Sequence, residues 1–188
     1  MSSSSPLVLA FGDSLVADYG LPAADGFAAS LEKCLRPSHV GARVVNAGVA
    51  GDTTADALRR LPKVLSRLGD RPDLAIVQLG PNDVLRQLPP SSTRANLDAI
   101  LMELGRCAVP VLLTTVAAPA FLQQHAAAYG DIHEEVARRY GAATTPFFPP
   151  GVLGHRDMVL ADRVHPNARA LRAVVEAMAP TVERALAR

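Results

Sequence analysis

The sequence predicts a three-layer α/β/α sandwich around a parallel sheet. Three observations carry that prediction. Short apolar runs that end at turn formers alternate along the chain with segments whose apolar residues recur at helical spacing. One run, Leu74-Ala75-Ile76-Val77-Gln78-Leu79, is apolar enough to be covered on both faces, as a parallel strand is. No repeat, low-complexity tract or linker divides the 188 residues, a length that one core serves, so residues 1–188 are expected to form a single domain.

In order, the first strand is Val8-Leu9-Ala10-Phe11, which meets Gly12-Asp13-Ser14-Leu15 and loses its pattern there. The turn is expected to hand over to a helix. Phe27, Leu31, Cys34 and Leu35 keep helical spacing until Pro37 ends the segment. A second strand is predicted over residues 42–46. It leads into the glycine-containing loop 47–54 with cap-forming residues at its end, then into a helix with Leu58, Leu61, Leu65 and Leu68 on one face. Pro62 inside that pattern predicts a kink or restart.

The third strand, residues 74–79, ends in the loop Gly80-Pro81-Asn82-Asp83. Past the proline-rich stretch at Leu88-Pro89-Pro90, Leu97, Ile100, Leu101 and Leu104 mark a helix. Residues 111–115 form the fourth strand, followed by a helix marked by Ile132, Val136 and Tyr140. A short fifth strand is expected over residues 143–147. After an irregular stretch reaching Val164, a last helix turns Leu171, Val174, Val175, Met178, Val182 and Leu186 inward. Right-handed crossovers join such strands into one parallel sheet.

Composition removes several classes of function. With 49% hydrophobic and 20% charged residues the chain can bury a core. Nineteen basic against eighteen acidic residues leave a net charge of +1, so neither nucleic acid nor an anionic membrane is an expected partner. Cys34 and Cys107 have no metal-ligand spacing and read as buried apolar residues. His39, His125, His133, His155 and His165 form no ligand pair, so neither a metal nor another cofactor is expected. The polar, serine-rich start leaves no room for a signal peptide, and no stretch is apolar enough to insert stably in a membrane. Cytoplasm is the default expectation, and a periplasmic or secreted location stays open if a leader has been removed.

The chemistry begins at Ser14. Ligand crevices in open α/β sheets form at the carboxyl ends of strands, where Ser14 is placed, although a turn serine also serves as a helix cap. An activated serine needs a base, a group to orient the base, and donors for an oxyanion. Asp162-Arg163-Val164-His165-Pro166 supplies a carboxylate three residues ahead of an imidazole, just before the final helix. Gly51, in the Gly48–Gly51 loop, and the side-chain amide of Asn82 are candidate donors, though glycine and asparagine also form turns on their own account. All four stretches fall on one rim of the sheet. His155 with Asp157 is a second, lesser Asp/His pair.

Gly12-Asp13-Ser14-Leu15, Gly51 in Ala50-Gly51-Asp52, Gly80-x-Asn82-Asp83 and Asp162-x-x-His165-Pro166 resemble, in order and approximate spacing, the four blocks of the SGNH (GDSL) hydrolases. The context resembles most the bacterial branch of acyl-CoA thioesterase I, lysophospholipase and arylesterase enzymes. The resemblance implies a flavodoxin-like sandwich with strand order 2-1-3-4-5. It implies Ser14 as nucleophile and oxyanion donor, Gly51 and Asn82 as further donors, His165 as general base and then acid, and Asp162 as its orienting group. Pro81 departs from the glycine many relatives carry before the asparagine, and is expected to stiffen a loop.

The expected substrate is a small acyl or aryl ester or a thioester. Asp13 and Pro81 within the blocks, and Val84, Leu85 and Phe121 in the rim loops, are the expected substrate contacts. A carbohydrate O-acetyl esterase is the rival within hydrolases, set back by the absence of Trp and by 4% aromatic residues. A binding module with a phosphate-holding loop at residues 48–54 is the rival outside them, and that loop lacks the Gly-Lys-Ser/Thr ending of a P-loop. Oligomeric state leaves no sequence signal.

Overall fold

The computed structural model describes residues 5–115 and 123–187. Five parallel strands lie in the order β2-β1-β3-β4-β5: β1 Leu7–Gly12, β2 Arg43–Gly48, β3 Leu74–Gln78, β4 Val111–Thr115 and β5 Ala143–Pro146. Helices α1 Phe27–Leu35, α2 Thr54–Arg67, α3 Pro81–Leu85, α4 Pro90–Arg106, α5 Gln123–Ala126, α6 Ile132–Arg139 and α7 Ala168–Leu186 alternate with them, with short 3₁₀ turns between.

The period of two along each central strand sorts the core into two layers. Val8 and Ala10 of β1, Leu74 and Ile76 of β3 and Leu112 of β4 face α1 and α7, packing with Phe27, Leu31, Leu35, Leu171, Val174 and Met178. Leu9 and Phe11, Ala75 and Val77, and Leu113 face the other way, against Leu61, Leu97, Ile100, Leu104 and Val136 of α2, α4 and α6. Each large side chain so buried contributes about 1.5–3 kcal/mol. The three-layer sandwich and its strand order are those the sequence implies.

Boundaries differ where local chemistry and pairing disagree. β2 begins one residue later and ends two residues later than predicted, because Ala47 and Gly48, read as the start of a glycine-containing loop, pair with Phe11 and Gly12. β3 stops at Gln78, and β5 at Pro146. α2 runs unbroken through Pro62. The segment after Ser14 is a series of turns rather than a helix. Gly80-Pro81-Asn82-Asp83 is not a loop but the entry to α3, with Pro81 in its first turn, where a missing N–H costs nothing. Tyr140 caps α6 at its exposed end instead of packing inward. Cys34 is half-buried and Cys107 exposed, both as free thiols.

The register sets up the site. Gly12 pairs with both Gly48 and Gln78, so the carboxyl ends of β2, β1 and β3 stand level. The chain therefore releases Ser14, the Gly51 loop and α3 from one edge.

Candidate active site

Ser14 leaves β1 in a turn held by Asp13, whose carbonyl accepts from the N–H groups of Val16 and Ala17 at 3.2 and 2.9 Å. From the far end of the chain comes a turn closed on itself: Leu160 N–H donates to the His165 carbonyl at 2.8 Å, and Arg163 N–H to the Leu160 carbonyl at 2.9 Å. Arg163 takes φ +60° inside it. Asn167 then caps α7 by accepting from Ala170 N–H at 3.0 Å. A loop bridged at both ends delivers Asp162 and His165 to Ser14 as a fixed unit.

His165 Nε2 lies 3.1 Å from Ser14 Oγ, and His165 Nδ1 lies 2.7 Å from Asp162 Oδ2. Asp162 Oδ1 accepts from the N–H groups of Val164 and His165 at 2.9 and 3.0 Å. These bonds, led by that from Val164, hold the Asp162 carboxyl down at about 2. Its orientation is thus set by the backbone of its own turn, leaving Oδ2 for the imidazole. The ring of Tyr19 packs tilted against that of His165, with centroids 4.2 Å apart and planes at 34°.

Three donors stand nearby. Among the described residues the N–H groups of Ser14 and Gly51 have no hydrogen-bond acceptor. Gly51 has φ +84°, a conformation that favours glycine. Asn82 Nδ2 donates to the Asp52 carbonyl at 2.9 Å and reaches Asp13 Oδ2 at 3.4 Å, so α3 is tied to the Gly51 loop.

Behind this edge lies a buried polar layer. Asp13 is wholly buried, accepts from Leu15 N–H at 3.0 Å, and has its carboxyl pushed up by burial to about 7. Gln78 beside it is equally buried, and neither atom of its amide has a partner among the described residues. Asp83, also fully buried, accepts from Thr54 N–H at 2.9 Å, Thr54 Oγ1 at 2.5 Å and Thr93 Oγ1 at 3.0 Å. It thereby joins α3 to the first turns of α2 and α4. Thr53 caps α2 in a capping box with Asp56.

The rim residues divide. Pro81 is half-buried in α3, Val84 packs into the core layer beside α2 and α4, and Leu85 is 51% exposed. Phe121 lies outside the described residues. His155 caps a short 3₁₀ turn by accepting from Asp157 N–H at 3.2 Å, so that pair is structural. Nothing in the sequence marks Tyr19, Arg60 or the partners of Asp83, since each also acts on a residue distant along the chain. A hydroxyl, an imidazole and a carboxylate in series, with free N–H donors beside them, are the equipment of an acyl-transferring hydrolase.

Comparison with known proteins narrows that class. The model of the GDSL-like lipase/acylhydrolase family matches residues 10–173. Esterase TesA of Pseudomonas aeruginosa is 33% identical over 182 residues, 96% of this chain and 90% of its own. The TesA crystal structure superposes with a TM-score of 0.88, covering 95% of this chain and 99% of the other. AlinE4, an SGNH-hydrolase family esterase, is 43% identical with a TM-score of 0.79 over 97% of both chains. An arylesterase of Vibrio mimicus is 28% identical over 179 residues, 95% of this chain and 88% of its own. The chain belongs to the GDSL-like lipase/acylhydrolase family and is a hydrolase of ester bonds. Among the described residues no helix is long and apolar enough to cross a membrane.

Proposed function

We propose that this chain cleaves small acyl and aryl esters, and thioesters of the same acyl groups, through an acyl-enzyme on Ser14. The observation that carries the reading is the unbroken series from Ser14 Oγ through His165 to Asp162, at 3.1 and 2.7 Å. Ser14 Oγ attacks the carbonyl carbon while His165 Nε2 takes the hydroxyl proton, and Asp162 holds the ring with Nδ1–H pointed away from the serine. The negative charge moves to the carbonyl oxygen. The N–H groups of Ser14 and Gly51, free of other acceptors among the described residues, receive it together with Asn82 Nδ2, whose 3.4 Å contact to Asp13 is the bond it exchanges for the oxyanion.

Collapse of this intermediate breaks the bond to the leaving group, which departs with the proton from His165. Water, deprotonated by the same nitrogen, then attacks the acyl-enzyme and releases the acid and free Ser14. No step needs a metal or cofactor. Support for ester over sugar substrates comes from the names of the relatives above, which are an esterase and an arylesterase.

The test is labelling by a fluorophosphonate, with peptide mapping, against kcat/KM for butyryl and longer p-nitrophenyl esters and acyl-CoAs. Ser14 is expected to carry the label, and Ser14→Ala to lose both label and turnover. Asn82→Ala is expected to lose about 10²–10³ in turnover. Full activity in Ser14→Ala sinks the reading, and acetate release from acetylated oligosaccharide alone transfers it to carbohydrate esters.

A further inference from the structure

Tyr19 is an aromatic ring held in the open beside the proposed acid/base. It is 47% exposed, yet one face of it packs on His165 at a centroid distance of 4.2 Å. A free surface aromatic would turn with its loop, but this loop is fastened. Asp18 before it and Gly20 after it take φ +57° and +71°. An aspartate in that left-handed conformation is uncommon and persists only where its surroundings fix it. Here the Asp18 carboxylate accepts from Phe27 N–H at 3.1 Å and from Asn46 Nδ2 at 2.8 Å, pinning the turn to α1 and to β2. On the other side a Cβ at Gly20 would come within 2.6 Å of Leu160 Cδ1, so the turn rests against the loop that carries Asp162 and His165.

The direction of proton flow then decides what the ring can meet. In acyl transfer the group that receives the proton from His165 is the leaving group, which must come within hydrogen-bond reach of Nε2. A flat apolar surface stacked on that imidazole therefore borders the path of the departing alcohol, whereas the acyl oxygen is directed to the donors of Ser14, Gly51 and Asn82.

We propose that Tyr19 forms the leaving-group subsite and sets a preference for esters whose alcohol portion is aromatic. This rests on the assignment of Ser14 and His165 made above. The ring meets an aryl leaving group face to face or edge on, contacts that a compact alkyl alcohol cannot make to the same extent. Tyr19 is thus a specificity-determining residue that touches substrate during acylation and has no alcohol left to touch during deacylation.

The test holds the acyl group fixed and changes only the alcohol. Phenyl butyrate is compared with a fluoroalkyl butyrate whose alcohol matches phenol in acidity, in the full chain and in Tyr19→Ala, Tyr19→Leu and Tyr19→Phe. The ratio of kcat/KM, aryl over alkyl, is expected to fall about threefold to tenfold in Tyr19→Ala and Tyr19→Leu, chiefly through KM, and to be kept in Tyr19→Phe. Single-turnover measurements are expected to place the loss in acylation and not in hydrolysis of the butyryl-enzyme. An unchanged ratio overturns the proposal. Equal losses in acylation and deacylation also overturn it, because they show a ring that only props His165. Should Tyr19→Ala not fold, Tyr19→Leu gives the same reading. If the wild-type Ser14 takes no fluorophosphonate, the triad assignment fails first, and that outcome is seen separately.

Discussion

Arg60 Nε lies 2.5 Å from Asp52 Oδ2, and the same guanidinium donates to the carbonyls of Ala47 and Gly12 at 2.8 Å each. It also lies over the Phe11 ring, 4.4 Å from its centroid. One side chain from α2 therefore joins the last residue of β1, the end of β2 and the residue whose carbonyl receives Asn82. Arg60 and Asp52 are largely buried, with side-chain exposures of 20% and 11%. Removing the cation takes the guanidinium donor from the Asp52 carboxylate and the Ala47 carbonyl, and one of two donors from the Gly12 carbonyl, which also accepts from Val49 N–H at 3.0 Å. Arg60→Met is expected to cost about 2–3 kcal/mol in urea unfolding, less than a fully buried pair because of its partial exposure. Turnover is expected to fall at least about tenfold through displacement of the loop that carries the proposed oxyanion donor Gly51. Arg60→Lys restores charge but not the fork, and is expected to fall between the two.

The sequence makes the scaffold legible where local and long-range forces agree. Leu74 to Gln78 and Val111 to Thr115 are apolar runs too short for helices and flanked by breakers, and both are strands. β2 is less legible because its end holds Asn46 and Gly48, turn formers that pairing with β1 keeps extended. α3 escapes because five residues beginning at Pro81 are too few to show a helical period. Ser14, Asp162 and His165 can be read because they lie in short blocks with fixed internal spacing. Arg60, Asp83 and Tyr19 cannot, because each has a partner far along the chain, Gly12, Thr54 and His165 at 48, 29 and 146 positions, where no spacing rule applies.

Asp13 gives the fold a pH dependence of known sign. Burial pushes its carboxyl up to about 7 from an ordinary 3.8. Between about pH 4 and 7 the folded chain thus keeps a proton that the unfolded chain has released, so this group makes stability fall as pH rises. Asp13→Asn retains an oxygen for Leu15 N–H and does not titrate. Relative to that variant, the wild type is expected to lose on the order of 2–4 kcal/mol between pH 4 and 7.5, read by urea unfolding at each pH. Asp162, held at about 2, has the opposite sign: its contribution is present above about pH 4 and is lost only as the pH drops toward 2. A wild-type curve parallel to that of Asp13→Asn would show that Asp13 is ionised throughout.

Gly80 and Gly51 both take positive φ, +117° and +84°, but the space around them differs. A Cβ at Gly80 would meet His133 Cε1 at 3.0 Å and Nε2 at 3.1 Å. That ring cannot readily yield, because Nε2 is 2.8 Å from the Leu79 carbonyl, which only accepts, so Nε2–H donates. Burial also pushes the imidazole below its ordinary range, keeping it neutral. At Gly51 the nearest atom is Arg86 Nη2 at 3.7 Å, the far end of a flexible side chain. Gly51→Ala carries backbone strain alone, expected at about 1 kcal/mol, whereas Gly80→Ala adds overlap and is expected to cost about 2–4 kcal/mol. In Gly80→Ala, His133→Ala the overlap is gone while the strain stays, so the double variant is expected to be more stable than the two single losses summed. Turnover follows a different order: Gly51→Ala, which disturbs a proposed oxyanion donor, is expected to slow ester cleavage more than its small stability loss suggests. Unfolding curves and kcat on one p-nitrophenyl ester decide both points, and a Gly51→Ala less stable than Gly80→Ala would mean that the ring of His133 moves aside.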